Sequence, residues 1–177
     1  REAYRPAVAA RLRAPLQWSF KMEIKTQGTE LYLLDTDGAA VLKIECINSF
    51  EGLGGSAGDI DVTCFDDLNA RRFLTGLIDN GTATFGMAYD PTSTAQQKLA
   101  SIAGGGTYKW AVGLSDNYGL APTYDAGPPP DFVFPSGRTY FTFEASVQQY
   151  QRSAAVDDVW RISASLRISG DITEIPA

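Results

Sequence analysis

The chain has 177 residues, of which 44% are hydrophobic and 20% are charged, and it contains two cysteines and no histidine. This composition predicts one soluble globular domain with an ordinary core. The missing histidines exclude Ser-His-Asp and Cys-His nucleophilic sites and nearly exclude a zinc centre of the ordinary type. We expect no cofactor. We expect no membrane span, because no apolar run reaches about 18 residues, and synthesis in the cytoplasm, because no signal-peptide pattern is present.

Positive charge is concentrated at the start of the chain. Residues 1–21 carry five basic side chains and one acidic side chain, a net of +4; since the whole chain is −6, residues 22–177 carry −10. We predict an extended basic arm over 1–21 and a single domain over 22–177. The arm either docks on an acidic neighbouring subunit, or is a solvated or disordered extension, or lies upstream of a native start at Met22. In the first case its contacts come from Tyr4, Arg11, Leu12, Arg13, Leu16 and Trp18.

Alternation of apolar and polar residues predicts antiparallel strands early in the domain. Residues 31–34 and 41–47 are expected to pair through a turn over 35–38, which contains the Asp-Gly dipeptide typical of hairpins. A further alternating strand is predicted around 59–64.

Both cysteines lie within these alternating runs. We therefore expect Cys46 and Cys64 to be small buried strand residues, reduced in the cytosol. A disulfide between the two cysteines on neighbouring strands is an alternative that the sequence leaves undecided.

One helix is predicted after the strand over 83–89. Asp90 is expected to cap it, Pro91 to occupy its first position and Gly104 to end it. Its apolar face is formed by Ala95, Leu99, Ile102 and Ala103. Residues 66–75 are predicted to add a short helical turn.

The second half of the domain is again predicted to be β-structure. Residues 108–114 form one strand, and residues 141–147 and 160–169 form a hairpin linked around 151–158. Trp110 and Trp160 are expected in the core. Residues 115–137 are predicted to be an exposed loop, because three consecutive prolines cannot join a sheet ladder. The predicted fold is mainly β, an antiparallel sandwich or small barrel of seven or eight strands with one flanking helix.

Two acidic motifs resemble catalytic sequences. Asp35 and Asp37, which follow an apolar run, are spaced like the nucleophile and acid/base of Mg²⁺-dependent phosphatases of the haloacid-dehalogenase type. Asp59 and Asp61 repeat the spacing. That chemistry needs a parallel sheet with crossover helices, whereas residues 39–89 predict strands and turns, so a hairpin turn and a polar strand face are favoured. The phosphatase stays as an alternative function, and so does a carbohydrate-binding β-sandwich that uses exposed aromatic residues.

A glycine-rich segment over 52–58 is the remaining local motif. No Lys follows it at the spacing of a phosphate-binding loop, so a flexible connection between strands is favoured.

Several segments, in order, resemble one group of tail tube proteins from bacteriophages with long, non-contractile tails. These are Met22-Glu-Ile-Lys-Thr-Gln-Gly-Thr-Glu-Leu-Tyr32, Gly52-Leu-Gly-Gly55, Asp59-Ile-Asp-Val-Thr-Cys-Phe-Asp-Asp67, Leu74-Thr-Gly-Leu77, Tyr89-Asp-Pro91 and Lys109-Trp-Ala-Val-Gly-Leu-Ser-Asp116. The resemblance covers residue 22 to about residue 175, and residues 1–21 have no counterpart.

The resemblance implies a structural virion protein, without catalytic or metal site, that forms hexameric rings stacked into a hollow tube. Its implied partners are further copies of itself, the tape-measure protein, the tail terminator, distal tail proteins and the phage DNA that passes through the lumen without specific binding. An acidic body suits this role, because it repels DNA. Contacts between subunits or rings are expected from the loops over 50–58 and 115–137, and an acidic channel or ring face from three carboxylates. The loop contacts are Gly52, Leu53, Gly54, Gly55, Pro128, Pro129, Pro130 and Phe132, and the carboxylates are Asp59, Asp61 and Glu144.

Overall fold

The computed structural model describes residues 23–66 and 69–177 of the chain. The predicted arm over 1–21 lies outside these residues. In the described part, eleven strands and one α-helix follow one another. They are β1 (Glu30–Asp35), β2 (Ala40–Ile44), β3 (Ile47–Glu51), β4 (Ser56–Asp61), β5 (Phe73–Asp79), β6 (Thr82–Ala88), α1 (Thr94–Ile102), β7 (Thr107–Gly113), β8 (Thr123–Asp125), β9 (Asp131–Val133), β10 (Tyr140–Ser153) and β11 (Arg161–Ile175).

Seven strands form one antiparallel sheet in the order β2-β1-β7-β10-β11-β6-β3. Its centre is the hairpin of β10 and β11, in which Ala145 lies opposite Ile168 and Val147 opposite Leu166. These side chains are buried, while the residues between them face outward. The alternating pattern of residues 141–147 and 161–168 thus predicts this hairpin correctly, since each strand buries one face only.

The sheet is strongly curled. Three strand spacings separate β6 from β7, which on a flat sheet would be about 14 Å. The rings of Phe85 on β6 and Trp110 on β7 nevertheless lie 6.3 Å apart between centroids. Leu42 on edge strand β2 and Phe50 on edge strand β3 pack against the same core. The predicted mainly β, antiparallel fold is confirmed, and its main unit is a small barrel left open between β2 and β3.

Helix α1 packs Ala95, Leu99 and Ile102 against this core. The helix begins later than predicted. Ser93 is its N-cap, whereas Asp90 caps the preceding turn by accepting a hydrogen bond from the Thr92 backbone (2.8 Å). Gly104 follows with a φ of 75°, as expected for a helix stop. Ala103 is exposed because it already lies in that turn.

Strands β4 and β5 form a separate hairpin that is not hydrogen-bonded to the seven-stranded sheet. The predicted strand over 59–64 is present only as far as Asp61, and the predicted burial of Cys64 is wrong, since no core of described residues lies beneath this hairpin. The predicted helical turn over 66–75 is wrong where β5 begins, at Phe73. Both cysteines are exposed and neither forms a disulfide: Cys64 lies on this hairpin, and Cys46 occupies the turn between β2 and β3 with a φ of 58°.

The segment over 115–137 is more ordered than a plain loop. It contains the short hairpin of β8 and β9, which covers the convex side of β1 and β7. Phe132 on β9 is only 8% exposed and packs with Phe134, 5.5 Å away between centroids. Trp160 was expected in the core, but it precedes β11 and is 55% exposed.

Candidate assembly surfaces

The β4–β5 hairpin, residues 56–79, is an arm with exposed apolar side chains. Ile60 lies directly opposite Leu74 across the two strands, and Leu77 is 94% exposed. A two-stranded hairpin is at best marginally stable alone in water, and monomeric proteins seldom expose a contiguous apolar surface of this kind. The arm therefore has the character of a contact element for another macromolecule. Its exposed large apolar residues are Ile60, Val62, Phe65, Phe73, Leu74, Leu77 and Ile78.

The base of the arm is fixed to the sheet by polar contacts with β11. Asn80 donates a hydrogen bond of 2.6 Å to the carbonyl of Gly170, and the Asp79 carboxylate pairs with Arg167 at 2.8 Å. A hydrogen bond from the Gly81 backbone, together with Arg167, lowers the pKa of Asp79. On the other side of the base, Gly52 has a φ of 89°, and a side chain there would meet the Thr82 carbonyl. The arm thus leaves the sheet in a defined direction.

A second apolar surface lies at the opposite end of the sheet, on the turn over 154–160 between β10 and β11. Val156 is 94% exposed, and Val159 and Trp160 are also exposed. The turn is held in place because the carbonyl of Trp160 accepts a hydrogen bond from the Tyr89 backbone (2.8 Å). Arg152 lies over the ring of Tyr89, 5.5 Å from its centroid. The molecule therefore presents one apolar surface at each end of its long strands.

The convex side of the sheet has a polar face over β10, β11, β6 and β3 that no other described segment covers. Its outward residues are small and mostly carry hydroxyl groups: Ser49, Thr82, Thr84, Ser146, Ser163, Ser165 and Ser169. Its two arginines are each paired, Arg161 with Asp158 at 3.0 Å and Arg167 with Asp79 at 2.8 Å. Glu51 and Glu144 also lie on this face, so its uncompensated charge is negative.

A buried cluster around Arg138 connects the loop over 115–137 with the sheet. The Arg138 side chain is fully buried and pairs with Glu30 at 2.5 Å. It also donates to the carbonyls of Leu114 (2.7 Å) and Leu120 (2.6 Å). Further bonds reach Gly28 (3.1 Å), Gly113 (3.0 Å) and the Tyr32 hydroxyl (3.3 Å).

Glu30 is the anionic centre of this cluster. Burial alone would raise the pKa of Glu30, but hydrogen bonds from Lys43, Tyr32 and Arg138 outweigh it and lower the pKa. For Arg138, burial disfavours the charge, yet Glu30 reverses the effect and raises the pKa. The pair is therefore ionised and internally satisfied, so it serves as a structural anchor.

The acidic motif at the β1–β2 turn is engaged in ion pairs. Lys98 of α1 reaches Asp35 at 2.8 Å and Asp37 at 2.9 Å. Its ammonium lies between the two carboxylates, where a phosphatase of the predicted kind would hold Mg²⁺, and β1 is antiparallel to both its neighbours. Within residues 23–66 and 69–177, no group of three or more acidic or cysteine side chains is placed to hold a metal ion. The phosphatase hypothesis is therefore wrong on geometry.

The predicted contact residues lie in different places. Gly52, Gly54 and Gly55 are exposed at the base of the arm, whereas Leu53 packs partly against the core. Pro128 and Pro129 are exposed at the tip of the β8–β9 hairpin and Pro130 is half-buried, but Phe132 packs beneath this hairpin against β1 and β7 instead. Asp59 and Asp61 lie on the arm and Glu144 on the sheet, so the three carboxylates do not form one site. Tyr4, Arg11, Leu12, Arg13, Leu16 and Trp18 lie outside the described residues.

Sequence reasoning missed Arg138 and the 154–160 turn. The partners of Arg138 are up to 110 positions away along the chain, so no local pattern predicts the cluster. In the turn, Trp160 is an apolar signal, but the alternation that follows it predicts a core position.

Known proteins resemble this chain in sequence and in fold. The family model described as "Phage tail tube, TTP, lambda-like" matches residues 22–177. The chain belongs to the lambda-like phage tail tube family. A relative, Structural protein 3 of Pseudomonas phage PAJU2, is 33% identical over 156 residues, which cover 86% of this chain and 94% of the relative.

Solved structures share the fold at low sequence identity. The SPP1 tail tube, determined by solid-state NMR and cryo-EM, has a TM-score of 0.61 at 13% identity and covers 88% of this chain and 80% of its own. The tube-terminating cap of the anti-feeding prophage has a TM-score of 0.60 at 13% identity, with coverages of 96% and 100%. A chain of the PVC sheath–tube complex, an extracellular contractile injection system, has a TM-score of 0.59 at 14% identity, with coverages of 93% and 99%.

The protein is thus a structural component of the phage tail and not an enzyme. None of the helical segments in the part of the chain that the structure describes has the length and hydropathy that a bilayer crossing requires.

Proposed function

We propose that this tail tube protein assembles into hexameric rings that stack into a hollow tube, through which the phage DNA is delivered. The observation that carries the proposal is the arm over 56–79, whose strands are exposed on both faces and carry several large apolar side chains. Burying these side chains against another copy would stabilise the contact by about 25 cal/mol per Å² of apolar surface removed from water. Each ring contributes six such arms, so the contact is repeated around the tube.

The polar face over β3, β6, β10 and β11 suits the wall of the lumen. DNA carries a dense row of phosphates that unpaired Lys and Arg would bind. On this face both arginines are neutralised by Asp79 and Asp158, and Glu144 adds negative charge. Hydroxyl side chains provide no aromatic surface on which bases could stack. We infer that DNA and, before it, the tape-measure protein pass along this face without adhering to it.

The remaining partners follow from the polarity of a stack. The two ends of a tube expose different surfaces, so one end fits a tail terminator and the other fits the distal tail proteins. Assembly takes place in the cytoplasm of the host bacterium, and contact of the predicted arm over 1–21 with a neighbouring subunit stays a prediction.

Electron microscopy of the purified protein tests this function. We expect six-fold rings and tubes with a continuous lumen, in numbers that rise with protein concentration. A protein that stays monomeric at high concentration and is absent from virions would contradict the proposal.

A further inference from the structure

A groove with an apolar floor lies along the free edge of β3. One wall is β3 itself, which ends the seven-stranded sheet and has no partner strand on its outer side among the described residues; the other wall is the turn over 26–29 that precedes β1. The groove encloses about 740 Å³, and its floor includes buried Leu31 and Val112 and half-buried Phe141. An unpaired strand edge beside an apolar floor is a place where an extended segment can add a strand.

The rim of this groove is acidic. Glu51 lies on the β3 side, and the groove continues past Leu53 and Phe141 to Asp171 and Glu174. All three carboxylates are exposed, and no lysine or arginine is among the described residues that line the groove. The groove therefore favours an extended segment with one apolar face and additional basic side chains.

Residues 11–21, within the predicted arm over 1–21, have that pattern. Their sequence is Arg11-Leu-Arg-Ala-Pro-Leu-Gln-Trp-Ser-Phe-Lys21. In an extended segment alternate side chains share a face, so one face would carry Leu12, Ala14, Leu16, Trp18 and Phe20, and the other Arg11, Arg13 and Lys21. Pro15 is compatible with an edge strand, where its missing N–H faces away from the ladder. The segment thus matches the groove in both polarity and charge.

This segment is joined to the domain next to the groove. The described residues begin at Glu23, and the Lys25 carbonyl accepts a hydrogen bond from the Ser115 hydroxyl, just after β7. Residues 21–25 can span up to about 17 Å when extended, which is enough to lead the segment back into the groove. A segment tethered by a short linker has a local concentration in roughly the millimolar range. In dilute solution its own groove therefore outcompetes the groove of another copy.

We propose that residues 11–21 add a strand to the free edge of β3 in the same subunit, with Leu16, Trp18 and Phe20 on the apolar floor. The consequence for assembly rests on the proposed function. The added strand covers an edge that would otherwise be open to pairing with another chain, so rings form only after the segment is released. Residues 11–21 are thus an autoinhibitory element that keeps free subunits apart.

Two variants of the full chain test the docking. Trp18→Glu places a charge on the apolar face, and Gln17→Glu, the matched control, places the same charge one position away on the opposite face. Hydrogen exchange of the β3 amides is measured by mass spectrometry at a concentration at which the wild-type protein is unassembled; about half of these N–H groups face the free edge. Exchange over 47–51 should be about tenfold faster in Trp18→Glu, because burial of a large apolar side chain favours the docked state by about that factor or more.

The control variant should exchange like the wild type. Equal exchange in all three proteins would overturn the proposal. Protection of β3 that rises with protein concentration would show docking on another copy, and would overturn it as well.

The receiving side is tested by Glu174→Lys, which reverses one charge of the rim. Its control is Glu144→Lys, at an exposed carboxylate outside the groove. Exchange of β3 should be faster in Glu174→Lys than in Glu144→Lys, and the difference should shrink at high salt, which screens exposed charges. Identical exchange in the two variants would contradict docking in this groove.

Electron microscopy then separates this inference from the proposed function. If the segment restrains assembly, Trp18→Glu should form tubes at roughly tenfold lower concentration than the wild type and Gln17→Glu, because a larger fraction of its subunits is competent to assemble. An unchanged threshold would overturn the autoinhibitory role. Absence of rings and tubes in every protein would instead contradict the proposed function, whereas the exchange experiment on unassembled subunits would still decide the docking.

Discussion

Replacing Arg138 with methionine should destabilise the folded subunit strongly, because it removes the fully buried cation beside Glu30 and leaves that carboxylate only the partly exposed Lys43 as an ion-pair partner. The Arg138 side chain is fully buried, and that of Glu30 is nearly so. Removing one partner of a buried ion pair costs about 3–5 kcal/mol, a large part of the about 5–15 kcal/mol by which a domain is typically stable. At about 2–4 °C per kcal/mol for a chain of this size, the melting temperature should fall by about 6–20 °C.

The matched control is Arg161→Met, which breaks the exposed pair with Asp158 at 3.0 Å. An exposed pair contributes about 0–1 kcal/mol, so the melting temperature should change by less than about 4 °C. Thermal unfolding is followed by near-ultraviolet circular dichroism at concentrations where the protein is not assembled, since assembly itself would raise the transition.

A double variant shows whether the loss of the buried cation beside Glu30 is the cause. Glu30→Gln added to Arg138→Met removes the carboxylate that has lost its buried partner, so the double variant should be more stable than Arg138→Met alone. Equal melting temperatures for the Arg138 and Arg161 variants, or a double variant less stable than the Arg138 variant, would refute the reasoning.

Three further outcomes are expected. Because the pKa of Glu30 is lowered in the folded protein, its contribution to the free energy of unfolding is fully present above the ordinary glutamate pKa of about 4.3 and is lost as pH falls through the folded pKa. The stability of Glu30→Gln should therefore fall less steeply below pH 4 than that of the wild type, as measured by denaturant titrations at successive pH values. Gly113→Ala should lower the melting temperature, because its methyl group would lie within 3 Å of the Arg138 guanidinium, which six hydrogen bonds hold in place; an unchanged transition would contradict that close fit. Ser165→Lys on the polar face should leave tubes intact but slow DNA ejection from virions, with Ser165→Thr as the control, and equal ejection rates for the two would argue against a lumen at this face.

The parts of the fold that depend on local burial could be predicted from the sequence. The alternation in β10 and β11 marks strands with one buried face, and the apolar spacing of Ala95, Leu99 and Ile102 marks the core side of α1. In both cases the neighbouring residues along the chain carry the signal, so no knowledge of distant contacts is needed.

The assembly surfaces could not be predicted in the same way. Alternation in residues 59–62 and the apolar residues around Trp160 look identical whether they face the chain's own core or a second copy. The structure separates the two cases because it shows no core beneath either segment. Arg138 was missed for a different reason: the groups that it binds come from β1, the end of β7 and residue 120, and only the fold brings them together.

The Arg138 cluster has a consequence for how this chain can vary. It fastens both ends of the segment over 115–137 to the sheet, at Leu114 and Leu120 on one side and at residue 138 on the other. In secreted proteins a disulfide commonly staples a long loop in this way, but it requires an oxidising compartment. Here the staple is made of charge and hydrogen bonds, and it forms as soon as the chain folds. The exposed tip of the β8–β9 hairpin, at Pro128 and Pro129, is therefore free to change in length and sequence without loosening the barrel, whereas Phe132 is held by its packing against the sheet.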